Sequence, residues 1–193
     1  MPRVRLALWA AAVLAACGLG LLLIPRGAPE PGPAAVGGPF TLTSDKGTRV
    51  KSSDFDGTYR LIYFGYTYCP DVCPTELSRM ASVLERLGAK ADRIQPLFIT
   101  VDPERDTPDV LRAYVKHFGP RLVGLTGTPE ELKPVLSAFR VYSRKQEQAG
   151  SAVGYLMDHS SVLYLMGTEG EFITFFTADD AVEDIAERLA ALP

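Results

Sequence analysis

The chain has 193 residues and a formal net charge of −3, with acidic and basic residues interspersed and 47% of its positions hydrophobic. Once its unusual N-terminus is set aside, that length suits a single domain with one full core. No basic stripe runs along the sequence, so nucleic acid is not expected as a partner.

From Leu6 to Ile24 the sequence is continuously apolar, preceded by Arg3 and Arg5 and closed by Pro25-Arg26. A run of that length can span a bilayer. A cleaved secretory signal has a shorter apolar core and an A-x-A-like exit site, so residues 1–26 are expected to form an uncleaved membrane anchor. The basic residues ahead of the run favour a cytoplasmic N-terminus and put the rest of the chain, after Pro25, on the far side of the membrane. Leu14-Ala15-Ala16-Cys17 is a competing signal, because it resembles a bacterial lipobox in which the cysteine is lipidated. The apolar run continues well past Cys17, which favours a small membrane-buried residue there. Under either reading the simplest address is a bacterial inner membrane with the domain facing the periplasm. Residues 27–38, rich in Pro, Gly and Ala, read as a semi-extended spacer that lifts a domain over 39–193 off the bilayer.

Within that domain Phe40 to Val50 reads as a hairpin turning at Ser44-Asp45-Lys46-Gly47, an extension ahead of the main sheet. Arg60 to Tyr66 is rich in aromatic and branched residues and predicts a central strand. Thr75 to Leu87 places Leu77, Met80, Ala81, Leu84 and Leu87 at helical spacing, with Pro74 suited to the first turn and Gly88 closing it. A strand over Ile94 to Val101 precedes a helix opened by Thr107-Pro108 and stopped by Gly119-Pro120. Leu122 to Leu125 predicts a short strand, and Thr128-Pro129-Glu130-Glu131 a capping-box start for a helix to about Phe139. Gln146 to Gly154 is a polar stretch without a periodic pattern. Strands over Ser161 to Met166 and Glu171 to Phe176 come next, joined by a Gly167–Gly170 turn, and Ala181 to Leu192 closes the chain as an amphipathic helix.

Strand and helix alternating, then a hairpin and a helix, is what an α/β fold with a mixed sheet flanked by helices requires. The thioredoxin-like architecture matches that order. It sets the loop after the first central strand opposite the loop leading into the final hairpin, and here those loops carry Cys69 with Cys73 and Asp158-His159-Ser160.

The domain contains no cysteine other than Cys69 and Cys73. Both lie where a strand gives way to a helix, and the unpaired N–H groups of a helix start stabilise a thiolate. Export to an oxidising compartment would join such a pair as a redox-active disulfide, so their use as thiolates demands a reductant or a protecting metal. His117 ends a predicted helix and reads as structural, interacting with the last carbonyls. His159, facing the cysteines, reads as a ligand. Two thiolates and an imidazole form a soft three-donor set that suits Cu(I) and also accommodates Cu(II). Zinc is the runner-up, but structural zinc takes four ligands and no further cysteine or nearby histidine supplies one.

These residues carry a resemblance. FGYTYCPDVCPTEL at 64–77, VDPERDTP at 101–108, GLTGT at 124–128 and DHSSVLYL at 158–165 are similar to the Sco/SenC family of membrane-anchored copper-delivery proteins for cytochrome c oxidase assembly. The resemblance implies a thioredoxin-like fold, copper held by Cys69, Cys73 and His159, and delivery toward the dinuclear CuA centre in subunit II of the oxidase. It further implies a periplasmic copper donor and a thiol reductant as partners, and a metallochaperone in place of a turnover enzyme.

Around the ligands, Asp71 faces a cation, meets a partner or simply stabilises the helix start, and Asp158 either orients His159 as a hydrogen-bond acceptor, the reading favoured, or is a turn residue. Asp102 to Asp106 reads as a solvated charged loop ahead of a cap, with a docking surface as the alternative. Tyr66, Tyr68 and Tyr155 either shield the site or pack against the strand. The competing function is a thiol–disulfide oxidoreductase that reduces the oxidase copper-site cysteines; a redox or copper sensor shares the same ligands. Copper is favoured by the C-x-x-x-C spacing and by the absence of any proline between Pro134 and Pro193 where thioredoxins place one.

Overall fold

The structure, a computed structural model, describes residues 36–147 and 154–193. The expected anchor over residues 1–26, Cys17 included, and most of the 27–38 spacer lie outside the described residues. Among the described residues no helix is long and apolar enough to cross a membrane.

A seven-stranded sheet forms the centre, flanked by helices on both faces. Strands β1 (Thr41–Ser44) and β2 (Arg49–Lys51) form the expected antiparallel hairpin at one end. The core strands β3 (Tyr59–Gly65) and β4 (Ile94–Thr100) run parallel in register, Tyr63 opposite Phe98. Strand β5 (Val123–Thr126) adds in parallel to β4, while β8 (Leu163–Met166) and β9 (Phe172–Phe176) extend the other side antiparallel. The order is β2-β1-β5-β4-β3-β8-β9. Every residue of β3 is buried, as a strand covered on both faces demands.

The helices are α1 (Val72–Leu87), α2 (Pro108–Val115), α3 (Pro129–Ala138) and α4 (Val182–Ala190). Successive strand residues face opposite ways, so Tyr63 and Phe64 report on the two layers. Tyr63 stacks on Phe98, which meets Tyr114 of α2, whereas Phe64 packs against Tyr164 and against Phe139 at the end of α3. Thr107 and Thr128 cap α2 and α3 through their hydroxyls, the second within the expected capping box.

Two expectations are corrected. Helix α1 starts at Val72, ahead of Thr75, so Cys73 joins the expected Pro74 in its first turn. Proline is tolerated there because the first N–H groups of a helix have no intrahelical acceptor to lose. Between α3 and β8, where an unpatterned polar stretch and a loop are expected, the chain forms a separate antiparallel ribbon of β6 (Ser143–Glu147) and β7 (Tyr155–His159). Ser143 pairs with His159, so His159 ends a strand and is not on a loop. Ser143–Glu147 is polar throughout and β7 is at most half-buried, so neither strand shows a clean alternation of apolar and polar residues. His117 sits in a 3-10 turn (Lys116–Phe118) that extends α2, with its side chain exposed.

Candidate metal centre

Strand β3 delivers the chain to Gly65, and the loop from Tyr66 carries Cys69 into the first turn of α1 and Cys73. The Cys69 N–H donates to the Tyr66 carbonyl at 3.3 Å, closing the loop. The Cys73 N–H, unpaired within the helix, donates to Cys69 Sγ at 3.4 Å. A glycine is required at 65: a Cβ there would lie 2.9 Å from Cys73 Sγ, 2.9 Å from the Phe98 ring and 2.9 Å from the Tyr63 ring. The sulfur of Cys73 is therefore pressed against the strand backbone, fully buried, while Cys69 is half-buried.

His159 arrives from the ribbon. Its Nε2 stands 3.3 Å from Cys73 Sγ, and its Nδ1 lies 2.9 Å from the Ser160 carbonyl. A carbonyl only accepts, so Nδ1 carries a proton, and it is Nε2 that faces the sulfurs. The three ligand atoms of Cys69, Cys73 and His159 all lie within 4.8 Å of one another. That convergence is the one the sequence predicts. The imidazole is walled edge-on by Tyr66 and Tyr63, at ring separations of 5.7 and 6.2 Å.

The two thiols are electrostatically unlike. The hydrogen bond from Cys73, then His159 and the backbone N–H groups of Asp71 and Cys73, overcome desolvation and bring the Cys69 thiol down to about 3. The same bond to Cys69 and burial push the Cys73 thiol up. One proton thus stays on the buried sulfur, and the half-exposed sulfur is the standing thiolate. Burial raises the Tyr63 phenol well above its ordinary value; its hydroxyl meets Ser161 Oγ at 3.1 Å and points toward Cys73 Sγ at 3.9 Å.

The supporting residues differ from expectation. Asp158 does not orient His159: its carboxylate accepts from Gln146 Nε2 at 2.6 Å, and the Ser160 carbonyl takes the orienting role instead. Asp71 is exposed and occupies the N-cap position of α1 without a side-chain capping bond. His117 stands outside the cluster.

The 102–106 loop is not a solvated one. Asp106 is fully buried and accepts from Thr67 N (3.1 Å), Thr67 Oγ1 (2.6 Å) and Thr100 Oγ1 (2.6 Å), while burial raises its carboxyl above the ordinary range. Asp102, 2% exposed, accepts from the Tyr155 hydroxyl at 2.8 Å and pairs with Arg105. The sequence offers no direct sign that these carboxylates turn inward. The available cue is threonines within reach, Thr67 and Thr100, whose hydroxyls satisfy a buried acceptor. Of the tyrosines, Tyr66 is buried against His159, Tyr155 meets Asp102, and Tyr68 is exposed.

Chemically, two sulfurs and one imidazole make a soft, three-donor site open on the Cys69 side, matched to Cu(I) and tolerant of Cu(II). An incoming protein ligand can add to such a site before any resident ligand leaves.

A family profile described as SCO1/SenC matches residues 28–192. The mitochondrial SCO1 homolog 1 of Arabidopsis thaliana is 44% identical over 160 residues, covering 82% of this chain and 47% of that protein. The mitochondrial SCO1 homolog of Homo sapiens is 43% identical, covering 82% of this chain and 53% of its own length. The chain thus spans about half the length of these curated relatives. A crystal structure of Arabidopsis thaliana ScoI with copper bound superposes with a TM-score of 0.76 at 43% identity, over 81% of this chain and 96% of that one.

Proposed function

Since the chain belongs to the SCO1/SenC family, we propose that it binds copper through Cys69, Cys73 and His159 and acts as a metallochaperone in the assembly of cytochrome c oxidase. The carrying observation is the convergence of those ligand atoms within 4.8 Å. Copper is cargo in this reading. It enters against the standing Cys69 thiolate, displaces the proton on Cys73 and gains the Nε2 lone pair of His159. Delivery goes to the dinuclear CuA centre of subunit II, with the open side accepting a recipient ligand while the three donors still hold the ion. The apolar run over Leu6–Ile24 supports an inner-membrane tether that keeps the domain over 39–193 on the periplasmic side, near the oxidase and near a periplasmic copper donor and reductant. In the oxidised state the same cysteines would form a disulfide that must be reduced before loading.

The test is transfer. The full chain, reduced and loaded anaerobically with one equivalent of Cu(I), is mixed with the copper-free CuA-bearing domain of subunit II, and copper is followed across a separation. Movement to the recipient supports the proposal; retention on the chain in the presence of a competent recipient overturns delivery.

A dithiol role is favoured by one specific observation, the low-lying, half-exposed Cys69 beside a buried Cys73 that keeps its proton. The Cys69 thiolate attacks a target disulfide, forming a mixed disulfide and releasing one target sulfur as a thiolate, which takes its proton from water. Cys73, losing its proton, then attacks Cys69 Sγ, freeing the second target thiol and leaving a Cys69–Cys73 disulfide. Two electrons pass to the target. His159→Ala separates the readings, because copper loses a ligand and most of its affinity, whereas the exchange reaction keeps both sulfurs and is expected to retain much of its rate.

A further inference from the structure

The ribbon that carries His159 belongs to no larger sheet: β6 and β7 pair with each other alone, apart from the seven-stranded sheet that fixes the cysteines. Something other than backbone pairing must set the distance between imidazole and sulfurs. Arg105, from the loop after β4, reaches both. Its Nη1 donates to the Tyr155 carbonyl at 3.0 Å and its guanidinium lies 3.7 Å from the centre of the Tyr155 ring, on the strand ending in His159. The same guanidinium sits 4.8 Å from the Tyr68 ring and 5.7 Å from the Tyr66 ring, on the loop leading into Cys69. Asp102 pairs with Arg105 and also accepts from the Tyr155 hydroxyl, and both partners of that pair are largely buried. Among the described residues a second charged link to the ribbon, Lys145 with Glu104 at 2.8 Å, is exposed at 35% and 61% and contributes little.

We propose that Arg105 is a positioning residue that seats the β6–β7 ribbon, and with it His159, against the cysteine loop. The planar guanidinium suits the task, since it stacks on aromatic faces while its fork serves a carboxylate and a carbonyl in the same plane. The inference rests on the copper reading for its functional meaning, but the seating itself is a property of the metal-free chain. Loss of Arg105 loosens the ribbon, and the site keeps its sulfurs while its nitrogen is held less firmly.

The test combines amide hydrogen exchange on the metal-free full chain with anaerobic Cu(I) competition titration. Arg105→Gln is expected to speed exchange of the Tyr155–His159 amides roughly 10-fold while the β3 and β4 amides keep their protection. Copper affinity is expected to fall roughly 10–100-fold, the range for residues that orient a metal ligand. In a His159→Ala background the same substitution should change affinity less than about twofold, because the ligand it orients is gone. Unchanged ribbon exchange, faster exchange with unchanged affinity, or an equal loss of affinity in the His159→Ala background overturns the proposal. Should Arg105→Gln fail to fold, Tyr155→Leu, which removes the stacked ring and leaves the Arg105–Asp102 pair, carries the same test. Exchange is read without metal, so a wild-type chain that takes no copper overturns the function proposed above and leaves the seating of the ribbon to be decided on its own.

Discussion

The seven-stranded sheet and the two-stranded ribbon hold the same site by different physics. The sheet places Cys73 with apolar burial, its sulfur packed close to Gly65 and the Tyr63 hydroxyl. The ribbon places His159 with polar and aromatic side-chain contacts, and its residues are half-buried or exposed throughout. Close-packed interiors transmit a one-methyl change, whereas polar surface ribbons tolerate truncation and open locally at small free-energy cost. A copper site built half on each has two fixed donors and one adjustable donor, a division suited to an ion that must be both held and given up.

The sharpest break of that comparison is ligand removal. Cys73→Ala is expected to abolish copper binding, and His159→Ala to lower affinity by more than about 100-fold, beyond the range of orienting residues; equal, small effects in a competition titration would contradict the division. Next is the core itself. Phe64→Ala, which removes a ring packed on Phe139 and Tyr164, is expected to destabilise the domain by about 3–5 kcal/mol, while Gln146→Ala on the ribbon stays within about 0.5 kcal/mol, both read by thermal or denaturant unfolding. Gly65→Ala tests that close packing, since its Cβ meets Cys73 Sγ, Phe98 and Tyr63 at once; overpacking of about 1–3 kcal/mol and weakened copper binding are expected together.

Acid titration sharpens the contrast between the sulfurs. A thiol pulled down to about 3 remains a thiolate at every pH above that, so alkylation of Cys69 should hold its rate as pH falls from neutrality and decline only near pH 3. Cys73, pushed up, should resist alkylation across the same window. For stability, a depressed folded value contributes fully above the unfolded thiol value and fades as pH falls through the folded one. The smallest expected effect is Asp158→Asn, within about 0.5 kcal/mol, roughly twofold in copper affinity, because its carboxylate serves Gln146 and not the imidazole.

The sheet was legible because its signals are apolar and periodic. Strand β3 stands out from its aromatic and branched run, α1 from the spacing of Leu77, Met80 and Leu84, and α3 from Thr128 with Glu131. The ligand trio was legible because residue types that bind soft metals are few here and the fold order sets them opposite each other. The ribbon was not legible, because Ser143 to Glu147 has no apolar face to announce a strand. The roles of Asp102, Arg105 and Asp106 were hidden for the converse reason: charged residues in a loop read as solvated, and only the packed structure supplies Thr67, Thr100 and Tyr155 as partners. Residue type marks His159 but not its orienting acceptor, since a backbone carbonyl such as that of Ser160 leaves no mark on a sequence.

X-ray absorption at the copper edge tests the account most directly. The full chain carrying Cys17→Ser, so that Cys69 and Cys73 are the remaining cysteines, is reduced and loaded anaerobically with less than one equivalent of Cu(I). Two sulfur scatterers and one nitrogen, with the nitrogen lost in His159→Ala, is the predicted result. A sulfur-only site, or a nitrogen that survives the removal of His159, would contradict it.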